Sequence, residues 1–92
     1  DGQVIRLTFP QLTADRRKEL VRVVKGMAED GRVAIRNVRR AARHELDALA
    51  KDNEATEDDV TRDEKEIDKL THAQEDEIDQ ALEQKEQELL EV

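Results

Sequence analysis

The 92-residue chain contains no cysteine, tryptophan or tyrosine, one phenylalanine, one proline and three glycines. Without cysteine it has neither disulfides nor thiolate metal sites, which is compatible with the cytosol. With one aromatic side chain, the core of a sandwich or barrel could hardly be built. No apolar run approaches the roughly 20 residues of a membrane span, and no signal-peptide pattern opens the chain, so it reads as soluble. The length allows one small domain and excludes a two-domain enzyme.

Charge and helix formers are abundant. Charged residues make up 43% of the chain, against about 25% in ordinary domains. Ala, Glu, Lys, Leu and Arg supply 48 of the 92 residues, near the roughly 50% of long helices. The formal charge of −8 conceals a division: residues 14–51 carry +5, residues 52–92 carry −13, and the first thirteen balance. A polyanion meets the local field, within a Debye length of about 8–10 Å, so the halves must be read separately.

The pattern predicts an all-α fold: a long antiparallel two-helix hairpin, part of a three-helix bundle, preceded by a short extended segment. Gln3 to Phe9 alternates like a strand until Pro10 blocks it. One strand is not stable alone, so its partners are expected in another chain or in sequence outside these 92 residues, and the missing initiator Met agrees. Phe9, Pro10, Gln11 and Leu12 are expected to form a hinge. Thr13 is a candidate N-cap for a helix over 13–51, whose apolar or small stripe is Leu20, Val24, Met27, Gly31, Ile35, Val38, Ala42, Leu46 and Leu49. Asp52 to Ala55 is polar enough to turn, and Thr56-Glu57-Asp58-Asp59 resembles a capping box. The second helix, expected over 56–91, carries the stripe Val60, Ile67, Leu70, Gln74, Ile78, Ala81, Leu82 and Leu89. Two helices sharing one seam leave apolar surface wet, so a further helix is expected, from an absent N-terminal segment or a second copy of the chain. Gly31 lies on the stripe, where close approach of another helix would rationalise it; ordinary drift at a tolerated site is the alternative.

The most informative feature is cationic. On a helical projection Arg32, Arg36, Arg39, Arg40 and Arg43 share an arc of roughly 100°, and Lys18, Arg22 and Lys25 extend it backwards. Glu29 and Asp47 are the acids in that sector. The apolar stripe is centred elsewhere, so the row is expected to point outwards. Five arginines suit phosphate, because the guanidinium fork donates bidentately and sheds water more readily than an ammonium. The row also lacks the interleaved i,i+4 acids of a self-neutralising face. A solvated face paired with the acidic second helix is the competing reading. With no aromatic to stack bases and no zinc pattern, the row matches the backbone and shape of folded RNA better than it matches sequence-specific readout.

These residues also carry a family resemblance. Leu12-Thr13-Ala14-Asp15-Arg16-Arg17-Lys18-Glu19-Leu20, Val33-Ala34-Ile35-Arg36-Asn37-Val38-Arg39-Arg40, Glu57-Asp58-Asp59 and Lys85-Glu86-Gln87-Glu88-Leu89-Leu90-Glu91-Val92 resemble the C-terminal half of bacterial ribosome recycling factors. The resemblance implies an L-shaped protein: a three-helix bundle with a small β/α domain inserted after its first helix. Residues 1–12 would be the last strand of that inserted domain and a hinge, and residues 13–92 the second and third helices of the bundle. It implies a cytoplasmic factor that docks on the large ribosomal subunit along 23S ribosomal RNA and, with elongation factor G, splits post-termination ribosomes to release mRNA and tRNA. Arg36, Arg39 and Arg40 match the family's RNA-contacting arginines, and Arg32 fits the pattern; Arg43, Lys18, Arg22 and Lys25 follow from geometry. The chain departs from the common pattern at Gly31, often Ala, and Ala41, often Asp.

Other chemistry is weakly signalled. Gly26 to Val33 has the glycine spacing of a phosphate loop without its Lys and Ser/Thr. His72 and Asp76 are four apart, but two ligands make no metal site. His44 reads as a surface residue. Asp52 to Asp63 lacks the sixth-position Gly and twelfth-position Glu of a calcium loop. No catalytic constellation emerges, and no cofactor or metal is expected. The alternative function is a structural coiled-coil module that pairs through its apolar stripes without binding RNA.

Overall fold

A computed structural model describes residues 12–91, and 72 of those 80 lie in two helices, α1 (Ala14–Lys51) and α2 (Glu57–Leu90). The predicted strand and the hinge residues Phe9, Pro10 and Gln11 lie outside the described residues; Leu12 lies within them and is exposed. Thr13 caps α1, its hydroxyl accepting from Arg16 N at 3.1 Å. Thr56 and Asp59 complete a reciprocal capping box, with Asp59 N donating to Thr56 Oγ1 at 3.1 Å and Thr56 N to Asp59 Oδ2 at 3.2 Å. The shorter aspartate therefore serves where glutamate is usual.

The turn has its own chemistry. Asn53 adopts a φ of 57°, a left-handed conformation that Asn tolerates better than most residues. Asn53 N donates to Ala50 O at 3.2 Å and Glu54 N to Leu49 O at 2.9 Å, the paired bonds of a Schellman motif that satisfy carbonyls orphaned at the end of α1. At the other end of the hairpin Arg17 performs a related task across the helices. Its Nη1 donates to Leu89 O at 3.1 Å and also contacts Glu91 O, while its Nε donates to Leu12 O at 3.1 Å. The last turn of α2 has no basic residue of its own, so a cation from α1 faces its negative dipole end.

The helices run antiparallel in a rod of 78 × 30 × 16 Å with a radius of gyration of 22.0 Å, against roughly 12 Å for a globule of similar length. The seam joins Leu20, Val24, Ala28, Gly31, Ile35, Ala42 and Leu46 to Val60, Ile67, Thr71, Ile78, Leu82 and Leu89, all half-buried except Thr71. A Cβ built on Gly31 would stand 3.1 Å from Ile78 Cδ1, whereas one on Gly26 meets nothing within 4 Å. The helix that approaches Gly31 closely is thus α2 itself. Thr71, at 7% exposure, is the single buried residue among those described. Its hydroxyl donates to Ile67 O at 2.8 Å, which lets a polar side chain sit in an apolar seam.

Part of each predicted stripe is turned away from the seam. Met27, Val38 and Leu70 are 65%, 70% and 56% exposed, and Gln74 and Ala81 are exposed as well. With Ala34, Ala42 and Ile67 they line successive stretches of an open apolar groove along one edge of the hairpin. No hydrophobic residue is buried among those described. The expected wet surface is therefore present, concentrated on one side.

Two outcomes follow. Gly26→Ala should stabilise by about 0.5–1 kcal/mol, because alanine is the better helix former and the site is open. Gly31→Ala should gain less because Ile78 must yield, and a larger gain than at Gly26 in urea melts would contradict the packing. Hydrogen bonds from the Thr56 backbone and side chain, with Arg62 nearby, hold the Asp59 carboxyl below its ordinary pKa. A depressed carboxylate contributes stability above its unfolded pKa and loses it as pH falls through the folded value. Asp59→Asn should therefore be less stable than wild type at neutral pH and converge with it in acid; parallel pH profiles would exclude this.

Candidate functional site

The seam determines where the cations lie. On α1, the cationic row borders the seam mainly on the side away from the groove, and Arg39 reaches both. On α2 that same border carries Glu64, Asp68, Asp79 and Glu86, because the antiparallel register brings acid opposite base. Arg32 Nη2 approaches Asp79 Oδ1 at 2.6 Å, and Arg39 Nε donates to Asp68 Oδ1 at 2.9 Å. Lys25 lies 3.7 Å from Glu86 and Arg43 lies 3.9 Å from Glu64. Partner numbers add to 107 near the turn and to 111 further away, as a single antiparallel register with one step of a helical turn requires.

These pairs correct one expectation. The row was expected to be free of self-neutralisation, but Glu29 within α1 and four acids of α2 partly neutralise it, as the competing reading of a face paired with the acidic second helix holds. The side chains are nevertheless not enclosed. Arg32, the least exposed of the paired arginines, retains 21% exposure, and Arg36, Arg39 and Arg43 retain 37–50%. The hydrogen bond to Asp79, supported by Glu29, raises the Arg32 pKa above its ordinary value despite partial desolvation.

The row thus divides into two classes. Lys25, Arg32, Arg39 and Arg43 are engaged by α2. Arg36 meets only Glu29, at 3.7 Å, and Lys18, Arg22 and Arg40 are exposed and form no ion pair among the described residues. Arg36, Arg39, Arg40 and Arg43 line one shallow cleft together with His44 and Asp47. His44, set aside from sequence as a surface residue, therefore belongs to the cationic cleft; its i, i+4, i+8 spacing from Arg36 and Arg40 was the available signal. Five nitrogen-bearing side chains around one concavity can donate to several anionic oxygens at once.

Other candidates remain apart. His72 and Asp76 are exposed on α2, and among the described residues no group of three or more His, Cys, Asp or Glu side chains is placed to hold a metal. No described helix is long and apolar enough to cross a membrane.

Comparison with known proteins adds a family. The family model described as Ribosome recycling factor matches residues 1–90. The chain is 59% identical over all 92 residues to the ribosome-recycling factor of Pseudarthrobacter chlorophenolicus, 54% to that of Corynebacterium kroppenstedtii and 53% to that of Bifidobacterium adolescentis. It spans about half the length of these curated relatives.

The two classes of cation should separate in stability measurements. Arg32→Ala removes a cross-helix pair and should lower the urea midpoint slightly at low salt, with the difference shrinking in high salt. Arg40→Ala removes a side chain without an ion-pair partner and should leave the midpoint in place. Equal shifts for both would show that the pairing geometry does not govern the row.

Proposed function

The chain belongs to the ribosome recycling factor family, and from that premise we propose that α1 is its RNA-docking edge, laid along ribosomal RNA of the large subunit. The observation that carries this reading is the cleft of Arg36, Arg39, Arg40, Arg43 and His44 on a chain whose net charge is −8. A cationic concavity within such an acidic molecule offers an anion a local attractive field that the net charge conceals. The guanidinium groups supply charge and forked donors for phosphate oxygens. The row lacks a stacking aromatic, so recognition rests on backbone and shape rather than on base identity.

The hairpin gives that edge mechanical reach. α1 alone spans about 57 Å at 1.5 Å per residue, long enough to touch several phosphates in line. In the full-length protein, the first helix of the bundle closes the open groove beside Met27, Val38 and Leu70, while the β/α domain precedes the hinge at Phe9 to Leu12. Elongation factor G then drives the docked rod against contacts between the subunits, and the ribosome divides, releasing mRNA and tRNA in the cytoplasm. The protein's part is binding and leverage, not catalysis, and needs no cofactor.

The exposed apolar groove supports a second reading, a helical interaction module whose charges serve specificity alone. Salt dependence separates the two. In the full-length protein, Arg40→Ala should weaken binding to purified large subunits and reduce the slope of log affinity against log salt by roughly one phosphate's share, about 0.7–0.9. Arg32→Ala should move the slope less, because Asp79 already engages that side chain. If both variants bind with unchanged affinity and slope, the interaction module is the better account.

A further inference from the structure

We propose that Glu64, Asp68, Asp79 and Glu86 of α2 act as built-in phosphate surrogates that set the selectivity of the cationic row. The inference rests on the RNA-docking reading and deepens it. Each of these carboxylates holds a cation of α1 at 2.6–3.9 Å, the place a phosphate oxygen would occupy. An incoming phosphate that takes the Nε side of the Arg39 fork therefore competes with Asp68, and one that takes the Nε–Nη2 edge of Arg32 competes with Asp79. Such an exchange replaces one charge-assisted contact by another, so a single phosphate gains little from it.

A rigid nucleic-acid surface meets a different balance. Arg36, Arg40, Lys18 and Arg22 require no exchange with α2, since they have no partner there among the described residues. Phosphates seated on these four hold the remaining phosphates at high effective concentration beside the engaged cations, which makes the later exchanges intramolecular. A flexible polyanion must be ordered anew at each exchange. The acidic edge consequently penalises flexible chains more than prearranged ones, which is selectivity gained by weakening the wrong complex. The carboxylates of Asp68 and Asp79 are also exposed enough to regain water when displaced.

The test compares two variants of the full-length protein that lose the same charge. Asp68→Asn with Asp79→Asn frees Arg39 and Arg32. Asp76→Asn with Glu77→Gln alters exposed positions of α2 that lie in none of the ion pairs among the described residues. Binding is measured to purified large subunits and to poly(U), with circular dichroism confirming equal helix content. The first variant should bind poly(U) about two- to thirtyfold more tightly, the range for two exposed pairs. Its gain on subunits should be smaller, so the subunit-to-poly(U) ratio falls. The second variant should shift both affinities slightly and leave the ratio unchanged.

No gain for the first variant would overturn the inference by showing that the carboxylates do not compete with a polyanion, and an equal change of ratio in the second would overturn it by assigning the effect to bulk charge. Wild-type binding to subunits that ignores salt and Arg40→Ala would instead defeat the docking reading itself.

Discussion

The hairpin depends on how three surfaces are distributed around α1. One sector packs on α2, the next lines the apolar groove, and the sector on the other side of the seam carries the cations. A helix has room for three such stripes because successive residues turn by about 100°. Gly31 keeps the packed sector narrow by letting Ile78 approach to where a Cβ would be crowded. The same arrangement holds for α2, whose acids border the cationic side while Leu70, Gln74 and Ala81 border the groove. A quarter-turn of α2 about its axis would carry the acids towards the groove and leave the row unpaired.

The electrostatics follow from that arrangement. Total charge predicts repulsion of nucleic acid, and the local field says otherwise, since cations and acids are sorted onto different helices. Exposed ion pairs contribute little to stability, so the cross-helix pairs are better understood as fixing register and tuning the field than as holding the hairpin together. They leave Arg36, Arg40, Lys18 and Arg22 without an inter-helix partner among the described residues. These four exposed cations are free of cross-helix ion pairs among the described residues, which is what the proposed docking edge requires.

Most of the local grammar was legible in the sequence. Thr13 and Thr56 mark both helix starts because a capping hydroxyl has a fixed offset from the N–H it satisfies. The end of α1 was harder to anticipate: polarity suggested a turn at Asp52 to Ala55, but the left-handed Asn53 and its Schellman bonds depend on backbone angles that composition does not encode. Thr71 escaped for a related reason, since a threonine reads as polar until its hydroxyl is seen bonded to Ile67 O. The stripes were found, but not their split into seam and groove, because periodicity identifies a face without saying how much of it one neighbour covers. The acid partners of Arg32 and Arg39 are 47 and 29 residues away, beyond any search at helical spacing. The positions of Phe9, Pro10 and Gln11 lie outside the described residues, so the hinge remains an expectation from sequence.

Groove and row border the seam from different sides of α1 except at Arg39, so the two surfaces are physically linked. A rod with no buried hydrophobic residue among those described has little to resist bending, which the proposed lever would have to resist. Covering Met27, Val38 and Leu70 would contribute about 1.5–3 kcal/mol for each side chain fully buried, comparable in sum with the 5–15 kcal/mol stability of a whole small domain. Arg39 is where the two surfaces meet, lining the groove beside Ile35 and Ala42 as well as the cationic cleft. A helix seated in the groove would therefore stiffen the rod and restrict an arginine of the proposed docking edge at once. On the proposed reading, loss of packing on the apolar side would then weaken docking through a loosened lever, without removing any charge from the row.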